Sequence, residues 1–114
     1  MVGNYGDFDR LCASVLRGMK QEFPQIKILL TVPYLTKSVQ QKANDFDEII
    51  IPEFPESTPR NLKIIKCNEF MVDNSRVLIC YVTCDFGGAV KTLEYAESKN
   101  RGKDEPEINI YHID

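Results

Sequence analysis

The sequence predicts an α/β fold: a three-layer α/β/α sandwich around a mainly parallel sheet, with its first strand apparently missing. Three observations predict it. Short apolar runs alternate with helix-patterned segments, an order that right-handed parallel crossovers turn into a sheet flanked by helices. The run Val77-Leu78-Ile79-Cys80-Tyr81-Val82 is continuously apolar, as expected of a strand covered on both faces. It leads through Asp85-Phe86-Gly87-Gly88 directly into a helix-patterned stretch, the kind of seam at which open α/β sheets bind ligands.

Each element has its own warrant. From Asp7 to Glu22, Phe8, Leu11, Cys12, Val15, Leu16 and Met19 recur at three- and four-residue steps, predicting one apolar helical stripe that ends at Pro24. Lys27 to Val32 reads as a buried strand stopped by Pro33. Thr36 to Lys42 reads as a short helix with a weak apolar face, and Glu48 to Ile51 as a second short strand. Three prolines between Pro52 and Pro59 mark a surface loop. Ser57 or Thr58 is placed to cap the next helix, with Pro59 or Arg60 in its first turn. That helix runs to about Asn74 and is expected to bury Leu62, Ile65, Met71 and Val72. After the Val77 strand, Gly88 to Ser98 forms a helix with Val90, Leu93 and Ala96 near one face. A polar stop at Asn100-Arg101-Gly102 precedes a last strand from Glu107 to Tyr111.

One feature is out of place. The loop Gly3-Asn4-Tyr5-Gly6 leads into a helix as though it followed a strand, yet only Met1 and Val2 precede it. In a doubly wound sheet that strand is usually central. Either the true start lies upstream, or the sheet closes in some other way.

The 114 residues predict a single domain over 1–114, with 43% hydrophobic and 27% charged residues. A net charge of −3, a pI near 5.2 and scattered Lys and Arg residues argue against nucleic acid as a partner. No apolar run approaches the roughly 20 residues of a membrane span, and the first residues lack the layout of a signal peptide. The expected compartment is the cytoplasm. Cys12, Cys67, Cys80 and Cys84 fit neither a zinc site nor a redox pair, and His112 is the sole histidine. The cysteines read as reduced, mostly buried thiols; no metal and no cofactor is expected.

The candidate ligand residues gather at two turn-helix junctions. Gly87 and Gly88 allow close approach to the backbone, and the first-turn amides of the following helix favour an anion, with the Thr92 hydroxyl in reach. The alternative is a tight turn in which Thr92 only caps. A nucleoside-triphosphate loop is disfavoured, because Val90 stands where a glycine should precede Lys91-Thr92. Gly3, Asn4, Gly6 and Asp7 repeat the logic at the first helix, although Asp7 suits a helix cap better than a phosphate contact. Asp9 reads as a first-turn helix charge. Tyr34 and Asp85 follow strand ends, and Glu69 lies mid-helix beside Asn68.

Taken together, Gly3-Asn4-Tyr5-Gly6-Asp7-Phe8-Asp9, Val32-Pro33-Tyr34-Leu35, Asp47-Glu48-Ile49-Ile50, the stretch from Asn68 to Ser75, and Gly87-Gly88-Ala89 with Thr92 and Tyr95-Ala96 resemble the SLOG superfamily of Rossmann-like nucleotide-ligand domains. The nearest branch is its small uncharacterised bacterial and phage proteins. The resemblance implies a pocket at the carboxyl ends of the strands, built from two glycine-containing loops, and places the helix carrying Glu69 against it. Enzymatic relatives, the Lonely Guy phosphoribohydrolases, use an arginine and a glutamate. The matching positions here are Cys67 and Tyr95, with Glu94 one residue away.

The expected function is therefore binding of a nucleotide or nucleotide-derived small molecule, in a sensor or accessory role and without catalysis. Two rivals stand beside it. One is a nucleoside-monophosphate phosphoribohydrolase in which Glu94 or Glu69 substitutes for the displaced carboxylate. The other is a protein-interaction module whose exposed sheet edges pair with a partner or a second copy.

Overall fold

The computed structural model describes residues 1–114. It is a mixed α/β protein with parallel strand pairing, and it divides into two compact units, Met1–Cys67 and Asn68–Asp114.

The first unit opens with Val2, which lies parallel to Leu30: its amide donates to Leu29 O and its carbonyl accepts from Thr31 N, both at 2.9 Å. Helix α1 (Asp7–Glu22) follows, with Gly6 as N-cap and Asp7 and Asp9 in the first turn, where negative charge suits the helix dipole. It closes with Phe23 N donating to Met19 O, just before Pro24. Strand β1 (Leu29–Thr31) runs parallel to β2 (Glu48–Ile50), pairing Leu30 with Ile49. Between them lie α2 (Lys37–Lys42) and a single 3-10 turn (Ala43–Asp45). The Thr36 hydroxyl caps α2 by accepting from Val39 N at 3.1 Å, and Val39 is the buried anchor of this short helix. The core of the unit is Val2, Ala13, Ile28, Leu30, Val32 and Val39.

Helix α3 (Arg60–Asp73) contains the boundary between the units. Its first helical bond runs from Lys63 N to Pro59 O, so Pro59 takes the cap position one residue beyond Thr58. In the second unit β3 (Val77–Cys80) pairs in parallel with β4 (Asn109–His112), with α4 (Gly88–Asn100) between them in sequence. Val72, Ala96 and Ile108 form the core, with Leu78, Tyr95 and Ile110 packed against them. The Asn100 side chain brackets the last crossover: Nδ2 donates to Ile108 O at 2.8 Å, and Oδ1 accepts from Ile108 N at 3.0 Å.

Several expectations are corrected. The Val77 strand is covered on one face only, since Val77 and Ile79 are 49% and 55% exposed while Leu78 and Cys80 turn inward. Continuous apolarity hid an alternation, because both faces carry apolar residues. Helix α1 likewise has more apolar surface than it buries. Ala13, with Cys12 and Leu16, packs on the core, whereas Leu11, Val15 and Met19 form an exposed i, i+4 row. Leu62 is exposed rather than buried. The first strand begins at Leu29, not Lys27, because the Ile28 amide donates to the Asp47 side chain instead of a ladder partner.

Candidate functional site

Gly3, Asn4, Gly6, Asp7 and Tyr34 belong to the first unit, and Glu69, Asp85, Gly87, Gly88 and Thr92 to the second. Each junction is described within its own unit.

At the start of α1, Asp9 reaches back over the loop. Its Oδ1 accepts from Gly3 N and its Oδ2 from Tyr5 N, both at 3.3 Å. This extends the reciprocal capping logic in which a third-position acid satisfies amides ahead of the helix. A Cβ at position 3 would sit 3.1 Å from Asp9 Oδ2, so a larger residue there requires the Asp9 carboxylate to shift by a few tenths of an ångström. Two amides offered by the sequence to an anion are thus occupied by the chain itself. Asp7 does not cap the helix as expected; it lies inside the first turn and pairs with Arg10, three residues on. Asn4 accepts from Lys42 Nζ at 3.2 Å, which ties the loop to the end of α2.

Tyr34, beyond the end of β1, is the most informative member of this group. Its hydroxyl is buried and has no hydrogen-bond partner. The Arg60 guanidinium lies over its ring, 5.3 Å from the centroid. Tyr5 is close by: burial and then the Tyr34 phenol push the Tyr5 pKa up, while Arg60 opposes this. Cys67 adds to the same neighbourhood as a neutral thiol, its pKa pushed up to about 11 by burial. Tyr5, Tyr34, Arg60 and Cys67 therefore form one polar cluster within the unit. Sequence reasoning selected only Tyr34 from it as a ligand contact. The signal for Arg60 was its spacing, because residues seven apart lie on the same helix face and position 67 had already been singled out.

At the start of α4, Gly87 is the N-cap with φ +103°, a backbone region that L side chains rarely adopt. The directions in which Cβ atoms of Gly87 and Gly88 would point are open. The Thr92 hydroxyl donates to Gly88 O at 2.8 Å, four residues back, so it serves its own helix rather than the cap. Asp85 is exposed in the preceding loop, and Glu69 is half-buried in α3. Tyr95 donates to Asp73 Oδ1 at 2.8 Å, and Lys99 pairs with the same carboxylate. Burial pulls the Asp73 pKa upward, but Lys99 and Tyr95 outweigh it and hold the group below its usual value.

Three further features complete the inventory. The four cysteines are free thiols, with Cys80 Sγ 3.6 Å from His112 Nδ1 at the paired ends of β3 and β4. An open groove of about 320 Å³ is lined by Arg17, Lys20, Ile28, Phe46 and Asp47, and contains no predicted ligand residue. Within it Lys20 pairs with Asp47, and Arg17 lies over the Phe46 ring at 6.0 Å. No helix is long and apolar enough to cross a membrane. Comparison of the chain with protein-family profiles, with curated protein sequences and with solved structures finds no match.

Proposed function

We propose that this protein binds a nucleotide or nucleotide-derived small molecule, as a cytoplasmic SLOG-like sensor or accessory domain, without catalysing its breakdown. One observation carries the reading: the Tyr34 hydroxyl, beyond the end of a parallel strand, is buried with no partner of its own. Buried polar groups are normally satisfied, and a hydroxyl kept unsatisfied is readily explained by a ligand that completes it. The glycine loop and Tyr5 lie in the same unit, as the carboxyl-end location of α/β ligand sites requires. The Rossmann-like three-layer arrangement belongs to the same proposal. Its support is parallel pairing in both units, with helices alternating with strands. Absence of catalysis is supported by Cys67 and Tyr95, which put a neutral thiol and a phenol where the related enzymes carry an arginine and a glutamate.

The test is calorimetric titration with nucleoside monophosphates, ADP-ribose and cyclic dinucleotides, repeated on Tyr34→Phe. Binding of one class is expected, and loss of the Tyr34 hydroxyl is expected to weaken it. A panel without binding overturns the reading.

A second reading has an observation of its own. Val77, Ile79, Tyr111 and Ile113 are all large, apolar and about half exposed on the β3–β4 pair. A surface of that kind suits a protein partner. Sedimentation equilibrium separates the two: a mass that stays monomeric at high concentration removes self-association from this second reading.

A further inference from the structure

Resting on the nucleotide reading above, we propose that Arg60 is the phosphate anchor of this protein, with the Tyr34 and Tyr5 hydroxyls donating to the same phosphomonoester.

Arg60 is the first residue of α3 and forms no ion pair. Its guanidinium is held over the Tyr34 ring instead, at 5.3 Å from the centroid. Stacking fixes the plane of the group while leaving its N–H edge available, and that edge matches two oxygens of a phosphate in a forked pair of hydrogen bonds. Arg10, Lys20 and Lys42 of the same unit are committed, to Asp7, Asp47 and Asn4 respectively. Arg60 is an arginine that has been positioned but not neutralised.

The phenols supply the second part of the argument. The Tyr34 hydroxyl is shielded from water and unpaired, and the Tyr5 phenol lies near enough to interact with it. Two hydroxyl donors and one guanidinium then share one neighbourhood. A tetrahedral phosphomonoester accepts from donors on several sides at once, whereas a planar carboxylate would use the fork and leave the phenols unanswered.

The third part concerns the backbone. Loop amides ahead of a helix can also hold an anion, but here Asp9 occupies those of Gly3 and Tyr5. The anion is thereby diverted from those amides onto side chains. Recognition of a phosphate by Arg60 and two tyrosines is the consequence.

The experiment uses the full chain and three groups of probes: adenosine, guanosine, cytidine and uridine 5′-monophosphates, the four parent nucleosides, and inorganic phosphate. Each is titrated against the wild type, Arg60→Ala, Arg60→Lys and Tyr34→Phe, with a thermal melt of every variant. At least one monophosphate is expected to bind, more tightly than its nucleoside. Arg60→Ala should weaken it by about tenfold or more, the loss of a charge-assisted pair, with Arg60→Lys intermediate. Tyr34→Phe should weaken binding several-fold while melting at or above the wild-type temperature, because it deletes a buried hydroxyl that the free protein leaves unpaired. A merely structural tyrosine would lose both together. Wild-type affinity in Arg60→Ala overturns the anchor and leaves the nucleotide reading standing. Arg60-dependent binding of inorganic phosphate alone sustains the anchor and overturns the nucleoside monophosphate as its ligand. No binding by any probe overturns the anchor, while the nucleotide reading is decided separately by ADP-ribose and the cyclic dinucleotides.

Discussion

The Asp47 carboxylate accepts a hydrogen bond from the Ile28 amide at 2.7 Å, which ends the β1 ladder one residue before Leu29. The same carboxylate pairs with Lys20 on α1, so a single side chain ties a helix, a strand entrance and the segment before β2. The hydrogen bond from Lys20, followed by that from Ile28, holds the Asp47 pKa below its usual value. A depressed carboxylate contributes stability that is fully present above the unfolded pKa, about 3.9, and is lost as pH falls through the lower folded value. Asp47→Asn should therefore lower Tm at neutral pH. Its Tm should also fall less than that of the wild type on acidification below about pH 4. Thermal melts from pH 7 to pH 3 check both.

Removing Asp9 should have two opposed effects. Asp9→Ala leaves the Gly3 and Tyr5 amides without their acceptor and should cost about 1 kcal/mol in urea denaturation, as for other capping losses. It also vacates amides at a helix start, so affinity for inorganic phosphate or sulfate should rise. Unchanged anion affinity would show that these amides do not face a ligand.

Leu30 is fully buried at the centre of the first core, flanked by Val2 on one side and β2 on the other. Leu30→Ala should cost about 2–5 kcal/mol by chemical denaturation, the range for cavities left by deleted leucine atoms. In the second unit, Val72→Ala removes less volume and should cost less.

Gly87 holds φ +103° at the start of α4 with open space where a side chain would go. The cost of Gly87→Ala is then backbone strain without a clash, about 1–2 kcal/mol. Substituting Gly88, whose φ is not in that region, should cost less, and urea titration of the two variants makes the comparison.

The thiols should alkylate in an order set by burial. Cys84 is exposed and should react first. Cys67 is buried with a pKa of about 11, so near pH 8 only about one thiol in a thousand is ionised, and it should react last. Mass spectrometry of a timed iodoacetamide reaction reads the order directly.

Element types were legible where periodicity was strong or punctuation sharp. Helix α1 begins and ends at the expected residues because Pro24 and the Phe8–Leu16 spacing leave no alternative. The start of α4 at Gly88 was likewise written in the paired glycines. Faces were harder to read. Leu11, Val15 and Met19 look like core residues in sequence, yet Cys12, Ala13 and Leu16 fill the space available. Hydrophobicity reports what a helix can bury, not how much partner surface it meets. Among the proposed ligand contacts, Tyr34 was selected because it follows a strand end. Arg60 and Asp9 were not assigned their parts, since stacking on a ring and reaching back to two amides depend on tertiary geometry that no spacing encodes.

The Asn100 bracket on Ile108 has an engineering consequence. Its two hydrogen bonds tie the end of α4 to the residue just before β4, and between them Lys103 N donates to Asn100 O while the Lys103 side chain pairs with Glu107. The alignment of β4 thus has an anchor outside the intervening peptide, whose exposed positions other than Gly102, Lys103 and Glu107 are open to substitution. This makes that window a natural graft point, where a displayed epitope or reporter sequence would inherit a fixed base from an asparagine outside it.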